Sequence, residues 1–409
     1  MSILYISQNG VTDHIGRSQI APYVLDLARQ GYRIHMLSAE KCGQDALIAQ
    51  YQKQFDDVSI TWTKVLYRNK PPIFGQAWTQ AVMHRAARYI VQRDGIKLIH
   101  CRSFPPALIG YHLKRELGVK YIFDFRDFYA DGGLEKNHGL AKLTYRYFKH
   151  LEGPMIREAD KIVCLTHRAR EVLADWYLKE ASNKLSRFQV IPCCADFEHF
   201  DTRRITEIQR QSARQKANLN KDDFVLLYLG SLGPDYLLPE MVALFRQVLA
   251  IKPGAQFLFV SNNGKELVEK ACTEQGVALD YIRFVSADRN EIPSLISLAN
   301  LSVVFIRAGQ SKIGCSPTKL AELFACNVPV IANTGVGDLD TIINQQTNGS
   351  IIVKEFTDAA LRAAVEQVVE MQSKYSLNIR DNSCEFSLNE GVARYHAVYR
   401  ELLGTPMRF

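Results

Sequence analysis

The chain has 409 residues, more than one hydrophobic core usually holds, so its length alone points to two domains. Its composition, 47% hydrophobic and 23% charged, excludes a disordered or fibrous design. A formal net charge of +7 suits anionic partners such as phosphates, but there is no basic block of the kind that binds nucleic acid.

The N-terminal residues enter a strand-like run at once, with no basic leader or cleavage site. No apolar stretch reaches the roughly 20 residues that span a bilayer. The expectation is a cytoplasmic protein. Nine cysteines, an odd number without CxxC spacing, read as reduced thiols, and no metal site is expected.

Short apolar runs alternate with helix-length amphipathic segments, the pattern of parallel βαβ units. In the first half, strands are predicted at 3–7, 33–38, 60–66, 98–102, 121–125, 161–166 and 189–192, with helices at 19–30, 77–93 and 107–117. The loop Gln8–Gly16 follows the first strand and precedes a helix, so its glycines, Gly16 among them, can turn backbone N–H groups toward a phosphate. An ordinary strand-to-helix turn explains it equally well.

The segment 123–131 places three acids and one guanidinium at a predicted strand end, and Asp124, Arg126 and Asp127 are candidate catalytic residues that meet a second substrate, an acid of 124–127 being one of two groups, with a departing phosphate, that could accept its proton. A salt-bridged strand terminus is the competing reading. His100 and Arg102 end the preceding strand and read as supporting residues. Residues 140–151 form a basic aromatic stretch with Lys142, Arg146, Tyr147 and Lys149, which fits either a solvated helix or a contact with an anionic membrane surface.

The polar stretch 201–223 reads as a linker between domains over 1–200 and 224–385. Strands resume at 224–229, 256–261, 281–285, 301–306, 328–332 and 350–353, giving a second doubly wound sheet. Ligands of such sheets settle beyond the carboxyl ends of the strands. That directs attention to Gly230 and Ser231, the residues after Val285, and the loops 307–318 and 334–338.

The most informative segment is Arg307–Glu322. Ser316 is predicted as an N-cap and Pro317 as the first helical residue, with Thr318 and Lys319 in the first turn, so that N–H donors, a hydroxyl and an ammonium converge on a diphosphate seat. A lysine at a helix start opposes the helix dipole, and a bound anion accounts for it. Glu322 follows on nearly the same face, where its carboxylate can accept from two vicinal ribose hydroxyls; an exposed Lys–Glu pair is the competing reading.

The run Ser316-Pro317-Thr318-Lys319 with Glu322, followed by Pro329-Val330-Ile331 and Gly335-Val336-Gly337-Asp338, resembles glycosyltransferase family 4, especially its bacterial polysaccharide-type members. The segment Tyr228–Tyr236 is similar to the opening of the C-terminal domain in that subgroup, and the likeness covers nearly the whole chain. It implies a GT-B fold, two Rossmann-like α/β domains facing a cleft, with a helix over 386–409 packing back toward the first domain. The implied activity is metal-independent, retaining transfer from a UDP- or GDP-linked sugar to a glycan or lipid-linked acceptor in cell-surface polysaccharide assembly. No cofactor is implied. The setting is the cytoplasm, with room for peripheral contact on the inner face of the membrane.

By the same resemblance Lys319 contacts the donor phosphates and acts in catalysis, Glu322 holds the ribose, backbone near Val285 meets the base, and Arg307 or Lys312 adds charge. Two departures stand out. Gly314 occupies the place of the first acid in the family's paired-glutamate motif, and the loop 230–236 lacks the Arg and Lys that many members carry there. A GT-B sugar-nucleotide epimerase and a non-catalytic GT-B scaffold are the alternative readings.

Overall fold

The computed structural model describes residues 2–404 apart from 72–73, 137–140, 180–183 and 376–377. The chain forms two compact units. The first comprises Met1–Cys193 with Ile313–Cys315 and Leu388–Phe409, the second Cys194–Lys312 with Ser316–Ser387.

In the first unit the strands β1 (Ser2–Ser7), β2 (Arg33–Glu40), β3 (Thr61–Leu66), β4 (Leu98–Arg102), β5 (Lys120–Phe125), β6 (Lys161–Cys164) and β7 (Phe188–Val190) make one sheet. Its order is β3-β2-β1-β4-β5-β6-β7. All pairs are parallel, with Ile3 opposite Ile34 on one side and Leu98 on the other. In the second unit β8 (Val225–Leu229), β9 (Gln256–Val260), β10 (Ile282–Val285), β11 (Leu301–Val304), β12 (Val330–Asn333) and β13 (Ile351–Val353) form a parallel sheet ordered β10-β9-β8-β11-β12-β13. Both sheets reverse direction of growth beside their first strand, between β1 and β4 and between β8 and β11. Those two reversals are the topological switch points at which such folds bind ligands.

The central strands β4, β8 and β9 are buried along their whole length, as expected where helices cover both faces of a parallel sheet. Tyr228, Phe257 and Phe259 pack against Met241 and Phe245 in one core, and Ile6, Ile99 and Phe123 lie with Met83 and Leu113 in the other. Each such side chain contributes about 2 kcal/mol by leaving water.

Where the structure departs from the sequence expectation, local chemistry explains it. The strand predicted at 161–166 ends at Cys164, because the buried Thr166 caps the helix His167–Tyr177 by accepting from Ala169 N at 3.0 Å. The strand predicted at 328–332 begins only at Val330, after Pro329, which has no N–H for the ladder.

The stretch 201–223, expected as a linker, contains the helix Glu207–Ala217, opened by a capping box between Thr206 and Gln209. Only Ala213 and Ala217 of that helix are buried, so it carries no apolar stripe for a sequence reading to detect. The division between the units falls instead at Cys193–Cys194.

The C-terminal helix Leu388–Leu403 belongs to the first unit, where Tyr399 Oη lies 2.6 Å from His100 Nδ1 and Lys161 donates to Glu401 at 2.7 Å. No helix among the described residues is long and apolar enough to cross a membrane.

Candidate functional site

The second unit gathers its chemistry at the carboxyl ends of β8, β11 and β12. The helix Thr318–Ala325 starts after Pro317, which stands at the N-cap with φ −67° and ψ 117° and makes no side-chain cap. Ser316 is therefore one residue outside the cap rather than in it, and Pro317 is not the first helical residue. The Pro317 carbonyl already accepts from Leu320 N at 3.0 Å, which fixes the start of the helix without help from the serine hydroxyl. First-turn amides of a helix lack intrahelical acceptors, so Thr318 and Lys319 open the helix as an anion seat does.

Lys319 is buried, and its ammonium turns across the end of β8. Its Nζ donates to Tyr228 Oη at 3.3 Å and lies 4.4 Å and 4.2 Å from the ring centres of Tyr228 and Tyr236. Gly230 makes this possible. With φ +115° it holds a left-handed backbone, and a Cβ there would stand 3.0 Å from Lys319 Nζ.

One turn further on, the Glu322 side chain is 12% exposed and its Oε1 lies 4.0 Å from Arg289 Nη1. Burial raises the Glu322 carboxyl from its ordinary 4.5 to about 7, against the pull of Arg289 and Lys319. A carboxylate so poorly solvated is suited to accept hydroxyl donors from a ligand.

The remaining donor-side candidates divide. Lys312 pairs with Asp235 at 3.1 Å and its carbonyl accepts from Gly337 N at 2.8 Å, so it ties three loops together. Arg307 is exposed, held by its backbone N to Asp235 O at 2.8 Å and by Nε to Pro234 O at 3.3 Å. Ser231 is exposed and its carbonyl accepts from Tyr228 Oη at 2.8 Å. Val285, whose backbone was expected near the base, is buried and its carbonyl already accepts from Ser261 N at 3.0 Å. Arg289 and Asp235 escaped the sequence reading. The signal for Arg289 was its place just past a strand end in the second sheet.

In the first unit, Asp124 and Arg126 do not form an open surface. Asp124 is fully buried, with Arg126 Nη1 at 3.3 Å, Arg102 Nη1 and His100 Nε2 at 3.4 Å, and the Tyr395 hydroxyl donating at 3.1 Å. Burial alone would raise its carboxyl, but Arg126, His100 and Arg102 hold it well below the usual carboxylate range. Burial likewise lowers His100, which leaves it neutral near pH 7. A carboxylate this acidic and this enclosed is a support for neighbouring side chains, not an accepting base. Asp127 alone of the three is exposed at the strand end.

Gly16 is a close-packing position. A Cβ there would come within 2.0 Å of Gly10 O. The loop around it is pinned by Glu40, which the sequence reading missed. The Glu40 carboxylate accepts from Val11 N at 2.7 Å, Thr12 Oγ1 at 2.6 Å and Ser38 Oγ at 2.6 Å. Lys149 does not extend the basic face expected over 140–151. It is held at 2.8 Å by both Asp131 and Glu152 and lies over Trp176, while Lys142, Arg146 and Tyr147 are exposed; residue 140 is outside the described residues.

Comparison with known proteins bears on the chain as a whole. The family model described as Glycosyltransferase Family 4 matches residues 24–199, and that described as Glycosyl transferases group 1 matches residues 209–385. A D-inositol 3-phosphate glycosyltransferase of Geodermatophilus obscurus is 26% identical over 271 residues, 63% of this chain and 57% of that protein. Sucrose-phosphate synthase from Thermosynechococcus elongatus superposes with a TM-score of 0.71 at 18% identity, covering 98% of both chains. HepE of Anabaena in complex with UDP-glucose gives a TM-score of 0.66 at 14% identity, covering 98% of this chain and 100% of that one. Because the two family models fall in turn on the two sheets and leave unmatched only the chain ends and a short join, the chain belongs to the family 4-type GT-B glycosyltransferases.

Proposed function

We propose that this protein transfers a sugar from a nucleoside-diphosphate sugar to an acceptor hydroxyl, with the diphosphate seated on Lys319 and the start of the helix Thr318–Ala325. The observation that carries this reading is the pairing on one helix of a buried ammonium and a poorly solvated carboxylate, Lys319 and Glu322, at the carboxyl end of the second sheet. Glu322 takes the ribose hydroxyls. The base lies beyond Val285, toward Arg289, and the donor is UDP- or GDP-linked; the UDP-glucose complex of the structurally similar HepE supports a donor of this class.

In the transfer, the bond between the anomeric carbon and the diphosphate oxygen breaks, and its electron pair leaves with the phosphate. The acceptor oxygen bonds to that carbon and gives its proton to the departing phosphate. Negative charge grows on the diphosphate in the oxocarbenium-like transition state, where Lys319 and the helix N-terminus stabilise it in the role a metal ion would otherwise fill, and attack by the acceptor from the face that the phosphate leaves retains configuration. The acceptor is a glycan or lipid-linked sugar in cell-surface polysaccharide assembly at the cytoplasmic side of the membrane. Asp127 remains the acceptor-side candidate, with Asp124 and Arg126 as its buried support.

Lys319→Ala is expected to lower release of nucleotide from the donor, measured in the presence of EDTA, by about 100-fold or more while the melting temperature holds. Near-normal release by the variant rejects the reading. The exposed Lys142, Arg146 and Tyr147 suit an anionic lipid surface. Flotation with anionic liposomes is expected to fall when Lys142 and Arg146 are changed to Gln, and unchanged flotation speaks against membrane contact.

A further inference from the structure

The loop between β8 and the following helix contains no Arg or Lys, although it borders the proposed diphosphate seat. Two tyrosines stand there instead. Tyr228 and Tyr236 meet at 80° with ring centres 6.0 Å apart, and the Lys319 ammonium sits in the corner between them, 4.4 Å and 4.2 Å from the two ring centres. We propose that Tyr228 and Tyr236 are positioning residues, an aromatic corner that holds the Lys319 ammonium at the diphosphate seat in place of basic side chains on the loop. The proposal rests on the donor-site reading above.

Both tyrosines are held in place, one by its side chain and the other by its backbone. Tyr228 is fully buried in β8, and its hydroxyl donates to Ser231 O at 2.8 Å while accepting from Lys319. Tyr236 bonds through its N to Gly233 O at 3.0 Å and bridges Ile306 in antiparallel fashion. Its neighbours are clipped as well, Leu237 N to Phe305 O at 3.2 Å and Arg307 N to Asp235 O at 2.8 Å. The Asp235–Lys312 pair then anchors the loop to the turn Gln310–Gly314.

The physical consequence concerns charge. A ring face attracts the ammonium through its quadrupole without carrying a net negative charge, so the cation is oriented and partly desolvated yet keeps its attraction for an anion. Gly230 completes the corner by leaving out the one Cβ that would press on Nζ, at 3.0 Å.

The test is calorimetric titration with inorganic pyrophosphate, a probe independent of the base, and with UDP, GDP, uridine and guanosine, at constant ionic strength. The proteins are the wild type, Lys319→Ala, Tyr236→Phe, Tyr236→Leu and, should Leu lower the melting temperature, Tyr236→Met. The expected result is that Tyr236→Leu or Tyr236→Met weakens pyrophosphate and diphosphate binding about ten-fold, that Tyr236→Phe restores it to within about two-fold, and that nucleoside binding does not change. Wild-type affinity in Tyr236→Leu and Tyr236→Met beside a loss in Lys319→Ala overturns the aromatic corner and leaves the donor site standing. Equal losses in Tyr236→Phe and Tyr236→Leu overturn it too, because the hydroxyl and not the ring face would then be at work. Wild-type affinity in Lys319→Ala, or no binding of any diphosphate by the wild type, rejects the donor-site reading itself.

Discussion

At the scale of single residues, Glu322 makes the account sensitive to pH. A folded-state value of about 7 against an ordinary 4.5 means that below pH 4.5 the group is protonated in both folded and unfolded chains and contributes nothing. Between those values only the unfolded chain loses the proton, so stability falls as pH rises, and above about 7 the cost is constant, on the order of 3 kcal/mol. On the proposed reading, ribose hydroxyls donate to the ionised form and lower its pKa. Nucleotide binding near pH 7 is therefore expected to release protons, visible as a dependence of the calorimetric enthalpy on buffer ionisation, and Glu322→Gln is expected to abolish that release. An unchanged release in the variant would assign the proton elsewhere. The sequence placed Lys319 and Glu322 on one helix face, because a spacing of three is a property of any helix. It could not reveal that Lys319 would be buried against two tyrosines, since that depends on a loop some ninety residues earlier folding back with a positive φ at Gly230.

At the scale of elements, the alternation of apolar runs made nearly every strand legible, since buried parallel strands such as β8 and β9 read as nearly continuous Val, Leu, Phe and Tyr. The helix Glu207–Ala217 was not legible, because capping and two alanines define it and no apolar face does. The Asp124 segment was legible as a charged strand end but not in its role. Its covering residue, Tyr395, lies 271 positions away in the helix Leu388–Leu403, and no local pattern connects the two. Asp124 is therefore read as the fastening of that helix to β4 and β5. Asp124→Asn removes the carboxylate from two buried guanidiniums and is expected to cost about 3 to 5 kcal/mol in urea unfolding. A loss below about 1 kcal/mol would show that the network carries little of the fold.

At the scale of the whole molecule, two doubly wound sheets with their switch points beside β1 and β8 supply two ligand-binding edges, one on each unit. The second carries the proposed cationic seat, and on that reading its chemistry follows from charge: a diphosphate would be both the recognised group and the leaving group, so one set of donors would serve binding and catalysis. The measurement that bears most directly on this is a thermal-shift series without metal, UDP, GDP, ADP and CMP against the wild type and Lys319→Ala. The account predicts a rise in melting temperature with a uridine or guanosine diphosphate that is lost in the variant. A rise of equal size in Lys319→Ala, or none with any diphosphate in the wild type, would contradict the assignment of the donor site to Lys319 and the start of the helix Thr318–Ala325.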